Sequence, residues 1–264
     1  MSVDIWNLHK PLSSGQRQLL GAVAVFLVLG VWSMLCITDM VSAQKLPAPW
    51  TVVKAFGYLS YSDGNSLLLD ATMWSMLRVA IAGLIVISIG IPIGVLMGAS
   101  TQVNAMLSPL LDPFRSAPVV ALLPILVMWL GIGETMKISF LVLGAVVYLI
   151  PMVRDSMIAV PYHYWESAKD LGATSWECIY RSVFPMALPR IADGVIVAVS
   201  IMWTYITVAE YVNADKGLGQ LIQNAKRFSA MDQVFVGIIV IIALALITYQ
   251  VLTWAKNKVF HWEV

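Results

Sequence analysis

Long apolar runs without acidic or basic side chains limit this chain more than any other feature. The run at residues 19–38 carries no acidic or basic side chain at all. A helix needs about 20 apolar residues to cross the ~30 Å hydrocarbon core of a bilayer. Apolar residues make up 59% of the chain and charged residues only 12%, about half the charged share of a soluble domain. The sequence therefore predicts an integral membrane protein.

Six predominantly apolar segments are candidates for membrane spans. We predict that each is a helix, because backbone N–H and C=O groups in lipid must be hydrogen-bonded internally. The third, fourth and fifth have short apolar cores, so we expect them to extend into their polar flanks. The expected fold is an all-α membrane protein with a permease domain at residues 19–255 and six transmembrane helices. Those helices are expected at residues 19–38, 72–100, 116–132, 138–153, 190–212 and 233–255.

The first span has an alternative interpretation. Polar residues with Lys10 and Arg17, then an apolar run, then Val41-Ser42-Ala43 also resemble a secretory signal with a small-residue cleavage site. The apolar run is longer than the usual core of such a signal, and five more spans follow. Both observations favour a retained transmembrane helix.

Basic residues favour a cytoplasmic N-terminus. In that orientation nine Lys and Arg residues lie in the inner segments and six in the outer ones, while Arg78 lies inside a span. Cytoplasmic loops carry an excess of Lys and Arg. Because six spans return the chain to its starting side, both tails are predicted to be cytoplasmic, at residues 1–18 and 256–264.

A polar, helix-forming stretch at residues 161–189 separates the fourth and fifth spans on the predicted cytoplasmic side. Gly172 permits the positive φ that ends a helix. Thr174-Ser175-Trp176-Glu177 fits a capping box for a second helix, and Pro185 and Pro189 are expected to end that helix. The stretch is therefore predicted to be a hairpin of two short helices.

Two interpretations compete with a docking role for this hairpin. A DNA-binding helix-turn-helix needs a basic face. In this hairpin Glu166, Asp170 and Glu177 offset the basic residues, so we discard the DNA-binding interpretation. A plain loop packed on the membrane domain stays open at this point. Apolar side chains recur at helical spacing in both halves of the hairpin: Tyr164, Ala168 and Leu171, then Trp176, Tyr180 and Val183.

The hairpin resembles the EAA loop of ATP-binding-cassette importer permeases. Glu166-Ser167-Ala168, then Gly172 and Pro185, follow that loop's pattern of E-A-A, three residues, glycine, and a spacer ending in L-P. Ser167 replaces the middle alanine and Phe184 precedes the proline, and both departures are mild. The position before the second-last span is the one expected of this motif.

Other segments resemble the nitrate, taurine, alkanesulfonate and bicarbonate permease group. Residues 148–155 depart from that group, which more often has an aromatic–proline pair there, so the exact solute stays open. The matching segments are residues 77–83 with 90–94, residues 118–124 with 129–134 and Lys137, and Ala209-Glu210 with Gly217-Leu218-Gly219.

The resemblance implies a type I importer permease in a bacterial cytoplasmic membrane. Two copies of the chain, as a homodimer, would form the pore above two ATPase subunits, and a solute-binding protein would deliver solute from outside. ATP and Mg²⁺ would be used by the ATPase, because this chain lacks the G-x-x-x-x-G-K-[ST] phosphate loop; no cofactor is expected here. The residues implied in coupling to the ATPase are Glu166, Ser167, Ala168, Gly172, Ala173 and Pro185.

The resemblance favours a small oxyanion or sulfonate as the solute, of the nitrate, bicarbonate, taurine or alkanesulfonate type. A heterocyclic vitamin precursor is the alternative within the importer family. A secondary transporter would need coupling-ion residues near mid-membrane and often inverted repeats, and neither is visible. No catalytic residue or metal-ligand set is expected, and a net charge of +1 offers no surface for nucleic acid.

Candidates for the translocation path come from polar residues inside spans. Ionisable residues there are functional by default, which singles out Arg78 and Glu210. Snorkelling to the interface is the alternative for Arg78, and packing is favoured for a small-residue ridge of Gly90, Gly94 and Gly98. The fifth span also carries polar and aromatic residues for a small anion, although helix–helix hydrogen bonding explains them as well: Trp203, Thr204, Tyr205 and Thr207.

Overall fold

The computed structural model describes residues 13–42, 44–61, 66–212 and 215–261. The predicted N-terminal tail up to residue 12, Ala43 of the alternative cleavage site, and residues 262–264 lie outside the described residues. Throughout the described ranges the secondary structure is helical, without a β-strand. The helices are α1 (Ser14–Ile37), α2 (Pro49–Ser60), α3 (Leu67–Ala99), α4 (Thr101–Phe114), α5 (Leu123–Leu130), α6 (Glu134–Ile158), α7 (His163–Asp170), α8 (Ser175–Glu177), α9 (Phe184–Tyr211), α10 (Leu218–Arg227) and α11 (Met231–Val259).

Five helices of the described chain are long and apolar enough to cross a membrane. They are α1, α3, α6, α11 and the helix that contains α8 and α9. A sixth crossing is present if α4 and the segment Val119–Leu130 are counted together as one span. These two parts meet at an angle of 90°.

The predicted third span, residues 116–132, is therefore not one straight helix. Its helical part consists of a 3₁₀ turn, Val119–Leu122, followed by α5. These elements extend for about 20 Å, which is short of the ~30 Å hydrocarbon core. Pro118 precedes the 3₁₀ turn, and a proline disfavours helical backbone at the residue before it. Pro124 lies in the first turn of α5, where proline is tolerated.

Helices α3, α6 and α9 pack against one another and form the main core. The predicted packing ridge of α3 is confirmed, because its glycines touch α6 directly. A Cβ added at Gly94 would fall 2.5 Å from Val153 Cβ, and one added at Gly98 would fall 2.5 Å from Met157 Cβ. Small residues let two membrane helices approach closely, so this ridge fixes the distance between α3 and α6.

A second apolar cluster joins α2, α3, α10 and α11 near the N-terminal ends of α3 and α11. Helix α1 reaches this cluster through Trp32. The Trp32 indole Nε1–H donates to the Pro47 carbonyl at 3.0 Å, and its ring lies 5.6 Å from that of Phe235. Most of the remaining surface of α1 is exposed, so α1 lies at the outside of the bundle.

The predicted helix end at Pro185 and Pro189 is wrong, because one helix runs from Ser175 to Tyr211. A proline in an α-helix lacks an N–H and its ring clashes with the carbonyl four residues earlier. Here a π-helical segment, Cys178–Val183, ends two residues before Pro185, which lies in the first turn of α9. The wider i→i+5 bonding of a π-helix accommodates Pro185, and Pro189 lies inside α9 as prolines can in membrane helices.

Candidate functional site

The hairpin between α6 and α9 has a tight, capped turn at its tip. Helix α7 ends before Gly172, whose φ of +83° is the conformation that glycine adopts most readily. Thr174 then caps the second helix: its Oγ1 accepts from the Glu177 N–H at 3.3 Å. The Glu177 carboxylate accepts in return from the Thr174 N–H at 2.9 Å. The predicted capping box is confirmed.

Hydrogen bonds within the hairpin hold its two halves together. Ser182 Oγ donates to the Tyr164 carbonyl at 3.1 Å, and Lys169 Nζ donates to Ser175 Oγ at 3.0 Å. Cys178 is fully buried between the halves. These contacts all lie within residues 161–189 and hold the two halves of the hairpin together.

The apolar side chains predicted at helical spacing do not all pack inward. Tyr164 and Ala168 are half-buried, but Leu171 at the tip is 89% exposed. Trp176 and Tyr180 are each 63% exposed. The parts of proteins that face water seldom expose several large apolar side chains unless these form a binding site. The tip of the hairpin therefore has the composition of a docking surface.

The predicted coupling residues all lie in this hairpin, and Ala168, Gly172 and Ala173 line a cleft at its tip. Glu166 and Ser167 are exposed on α7, whereas Pro185 is half-buried at the start of α9. A shallow cleft of about 370 Å³ opens beside them. It is lined by Ala168, Leu171, Gly172, Ala173, Glu177, Arg181 and Ser182.

A second polar site lies at the opposite ends of the spanning helices. Arg78 of α3 is only 2% exposed, so the snorkelling alternative is wrong. Its Nε and Nη2 groups donate to the two carboxylate oxygens of Glu134, at 2.6 and 2.7 Å. Its Nη1 donates to Glu210 Oε1 at 2.6 Å and to the Lys216 carbonyl at 2.7 Å. One guanidinium therefore joins α3 to α6, α9 and the segment before α10.

Glu210, near the end of α9, is fully buried. Besides Arg78, its carboxylate accepts from Ser75 Oγ at 2.8 and 3.0 Å and from the Gly219 N–H at 2.7 Å. Ser75 Oγ in turn accepts from the Leu218 N–H at 2.9 Å. A buried carboxylate is tolerated when it is paired and its remaining lone pairs are satisfied, and Glu210 meets both conditions.

Two glycines make room for this carboxylate. Gly217 has a φ of +128°, and a Cβ there would fall 2.6 Å from Arg78 Nη1. A Cβ at Gly219 would fall 2.7 Å from Glu210 Cβ and 2.8 Å from the Thr207 carbonyl oxygen. The sequence Gly217-Leu218-Gly219 therefore lets the backbone pass directly over Glu210.

Lys137 completes the site. It is 2% exposed, and its Nζ lies 2.9 Å from Glu134 Oε1. The Glu134 side chain itself is 45% exposed. We call Ser75, Arg78, Glu134, Lys137 and Glu210 the outer charge cluster, after the side of the membrane where the topology predicted from the sequence would place it. Its two positive and two negative charges balance.

Sequence reasoning singled out two members of this cluster, Arg78 and Glu210, and missed the other three. Glu134 and Lys137 stand three residues apart at the start of an apolar run, which places them on one helix face. That spacing was the available signal, whereas nothing in the sequence marks Ser75.

The other predicted path residues do not share one face of α9. Trp203 is buried, and its Nε1–H has no hydrogen-bond partner among the described residues. Thr204 is exposed, while Tyr205 and Thr207 are half-buried. Tyr205 packs edge-on against Phe140 with ring centroids 5.6 Å apart. Their role in a translocation path stays a prediction.

In the described part of the chain, no group of three or more His, Cys, Asp or Glu side chains could hold a metal ion.

Comparison with known families identifies the chain. Residues 90–261 match the family described as binding-protein-dependent transport system inner membrane component. The chain belongs to this family. The match includes the hairpin, α9 and three members of the cluster, Glu134, Lys137 and Glu210. The permease is therefore a multi-span component of an inner membrane, and its own role is transport rather than catalysis.

Relatives of this permease include the taurine transport system permease protein TauC of Escherichia coli. It is 30% identical over 258 residues, which cover 96% of this chain and 92% of TauC. The putative aliphatic sulfonates transport permease protein SsuC of Bacillus subtilis is 28% identical over 243 residues, covering 92% of this chain and 87% of SsuC.

Solved structures confirm the fold. The inward-facing MetNI methionine ABC transporter superposes with a TM-score of 0.62 at 22% identity, covering 73% of this permease and 94% of that chain. An amino acid ABC transporter with histidines gives 0.58 at 18% identity, covering 75% and 94%. The all-α fold of a type I importer permease, predicted from the sequence, is confirmed.

Proposed function

We propose that this permease forms the translocation path of an ATP-driven importer of small sulfonates, with taurine and aliphatic sulfonates as the leading solutes. The observation that carries the proposal is the exposed hairpin tip, where Glu166-Ser167-Ala168 and Gly172 lie beside uncovered Leu171, Trp176 and Tyr180. Such a tip suits docking to a second, soluble chain. The sulfonate assignment is supported by the transport systems to which TauC and SsuC belong.

The proposed assembly contains two copies of this permease and two ATPase subunits, which bind the hairpins from the cytoplasm. A solute-binding protein delivers sulfonate on the outer side, and both termini of the permease face the cytoplasm. ATP and Mg²⁺ are used by the ATPase subunits, and this chain holds no cofactor. The family's binding-protein dependence supports the outer partner.

Each coupling residue has a proposed task at the ATPase contact. Glu166 offers a carboxylate to a basic or hydrogen-bonding group, and Ala168 and Ala173 let the partner approach the cleft. Gly172 shapes the turn, Ser167 stands beside Glu166 on the exposed side, and Pro185 follows the π-helical segment. Arg78 and Glu210 lie at the far end of the same helical bundle.

Alternating access follows from the helix that joins the two sites. ATP binding closes the ATPase pair and moves the docked hairpins. Because the second half of the hairpin is continuous with α9, that motion reaches Glu210 and the outer charge cluster. The helical bundle then switches between two packed arrangements, which open the translocation path first to one side of the membrane and then to the other.

Reconstitution tests this function. The permease, co-purified with its ATPase from its own host, is placed in liposomes, and uptake of labelled taurine is measured with the solute-binding protein outside and ATP inside. We expect uptake that requires both ATP and the binding protein. Uptake without ATP that follows an ion gradient would instead assign the chain to the secondary transporters. Purification of the chain alone, under detergents that keep such complexes intact, would remove the docking role of the hairpin.

A further inference from the structure

We propose that Arg78 and Lys137 form an anion-binding site at the outer end of the bundle, and that the Glu134 carboxylate occupies this site until a solute sulfonate replaces it. The choice of a sulfonate as occupant rests on the proposed function. The existence of an anion site rests on the geometry of the outer charge cluster alone.

The contacts of Glu134 are those that a bound oxyanion makes. Arg78 holds its two oxygens with two parallel N–H bonds, at 2.6 and 2.7 Å, and Lys137 Nζ adds a third at 2.9 Å. Arginine binds planar pairs of oxygen atoms in this forked manner, and lysine adds a point charge. A sulfonate group presents pairs of oxygen atoms to the same donors.

The two carboxylates of the cluster differ in how readily they can leave. Glu210 is fully buried and also accepts from Ser75 and the Gly219 backbone. Glu134 is 45% exposed, and its described hydrogen bonds come from Arg78 and Lys137 side chains. It stands in the first turn of α6, so rotation of its side chain into water breaks no backbone bond. Glu134 is therefore the exchangeable member.

Charge makes the vacated site specific for an anion. Without Glu134 the cluster holds Arg78 and Lys137 against Glu210 alone, a net charge of +1, which one sulfonate neutralises. Both cations are 2% exposed, and buried charges are unfavourable without a partner. Glu134 also stands in the first turn of α6, where the helix dipole favours a negative charge.

Competition with Glu134 has a measurable consequence. A solute binds only to the fraction of molecules in which the Glu134 side chain has left the site. The apparent affinity is therefore the intrinsic affinity multiplied by that fraction. Removing the charge of residue 134 should therefore tighten anion binding while the two cations stay in place. Ordinary surface carboxylates should have no such effect.

Titration calorimetry with ethanesulfonate tests this on the complete permease–ATPase complex in lipid nanodiscs, without ATP or binding protein. We expect Glu134→Gln to tighten ethanesulfonate binding by about tenfold or more relative to the wild type. Asp70→Asn is the matched control, since Asp70 is an exposed carboxylate of α3 that pairs with Lys216 at 3.1 Å; it should leave the affinity unchanged. Neutral ethanesulfonamide should show no gain with Glu134→Gln.

A second variant keeps the site falsifiable. Adding Lys137→Gln to Glu134→Gln removes one of the two cations, and we expect it to reverse the gain in affinity. Equal or weaker ethanesulfonate binding by Glu134→Gln, or no binding by either protein, would overturn the anion site. An equal gain with Asp70→Asn would also overturn it, because the effect would then be one of general surface charge.

The outcomes separate this inference from the proposed function. ATP-dependent taurine uptake together with an unchanged titration would reject the site and leave the function standing. Tighter ethanesulfonate binding by Glu134→Gln without taurine uptake would establish the site and reject taurine as the solute.

Discussion

The two ends of this permease are held together in opposite ways. Four of the five members of the outer charge cluster are buried, all except Glu134, and the cluster joins residues that are far apart in the sequence, from Ser75 to Glu210. The hairpin is exposed, and its bonds join residues at most 18 positions apart. The outer end therefore depends on the packing of the whole bundle, whereas the turn of the hairpin is held by local bonds and its apolar tip stays exposed.

This difference predicts different responses to substitution. A change in the cluster should lower the free energy of unfolding, because each member is a partner of buried charges. A change at the hairpin tip should leave the bundle folded and affect transport, because the tip has few contacts to lose. The following four substitutions test the contrast, from the largest expected effect to the smallest.

Arg78→Met should have the largest effect. It leaves Glu210 buried without its cation and Glu134 without its forked donor, and removal of one partner of a buried pair costs about 3–5 kcal/mol. Denaturant unfolding of the purified permease in detergent, together with its amount in the membrane, measures this. Asp70→Asn on the same helix should be within about 0.5 kcal/mol of the wild type. A fully stable Arg78→Met would show that the cluster does not hold the helices together.

Gly172→Asp should abolish transport while the chain stays in the membrane. The residue has a φ of +83°, and no atom lies within 4 Å of an added Cβ, so the new carboxylate extends into the docking cleft rather than into the bundle. We expect ATP-dependent uptake below about 1% of wild type, a loss of roughly 2.7 kcal/mol in the coupled step.

The control for Gly172→Asp is Gly172→Asn, which has the same shape without the charge and tolerates positive φ. It should retain more uptake than Gly172→Asp. Wild-type uptake by Gly172→Asp would reject the docking role of the tip, and equal losses in both variants would assign the effect to the backbone.

Gly219→Ala should destabilise the outer end by about 1–3 kcal/mol, the usual cost of overpacking. Its Cβ would fall 2.7 Å from Glu210 Cβ and 2.8 Å from the Thr207 carbonyl oxygen. Thermal unfolding of the purified permease measures the shift. Gly83→Ala is the matched control, since it lies within α3 with no atom within 4 Å of its added Cβ, and it should not lower stability.

Thr174→Ala should have the smallest effect. It removes the hydroxyl that accepts from the Glu177 N–H, and loss of such a cap costs about 1 kcal/mol. Because Thr174 and Glu177 lie at the tip of the hairpin, outside the main core, we expect faster hydrogen exchange at the amides of Trp176 to Cys178 and an unchanged unfolding midpoint. A lowered midpoint for the whole bundle would break the distinction between the two ends.

The sequence predicted the hairpin better than the outer cluster, and the reason is physical. The Thr174–Glu177 capping box and the turn at Gly172 are set by neighbours a few residues away, so they can be read locally. Arg78 and Glu210 stand out because charges inside spans are rare. Their partners Ser75, Glu134 and Lys137 are ordinary residues until three helices pack together, and no local pattern states which helices will meet.

The errors have the same origin. Pro185 was expected to end a helix because the rule assumes α-helical bonding before it, and the π-helical segment changes that bonding. The apolar composition of residues 116–132 predicts one helix, but the chain there forms a 3₁₀ turn after Pro118 and then the eight-residue helix α5. Composition locates apolar segments, while their geometry depends on bonding patterns that composition does not contain.

The helix from Ser175 to Tyr211 has 37 residues, which corresponds to about 55 Å at 1.5 Å per residue. It begins in the hairpin and ends one residue beyond Glu210. Under the proposed function, this helix would act as a connecting rod that carries a movement of the hairpin to the other end of the bundle. The work of the ATPase would then arrive on the far side of the membrane through one helix rather than through a relay of side-chain rearrangements.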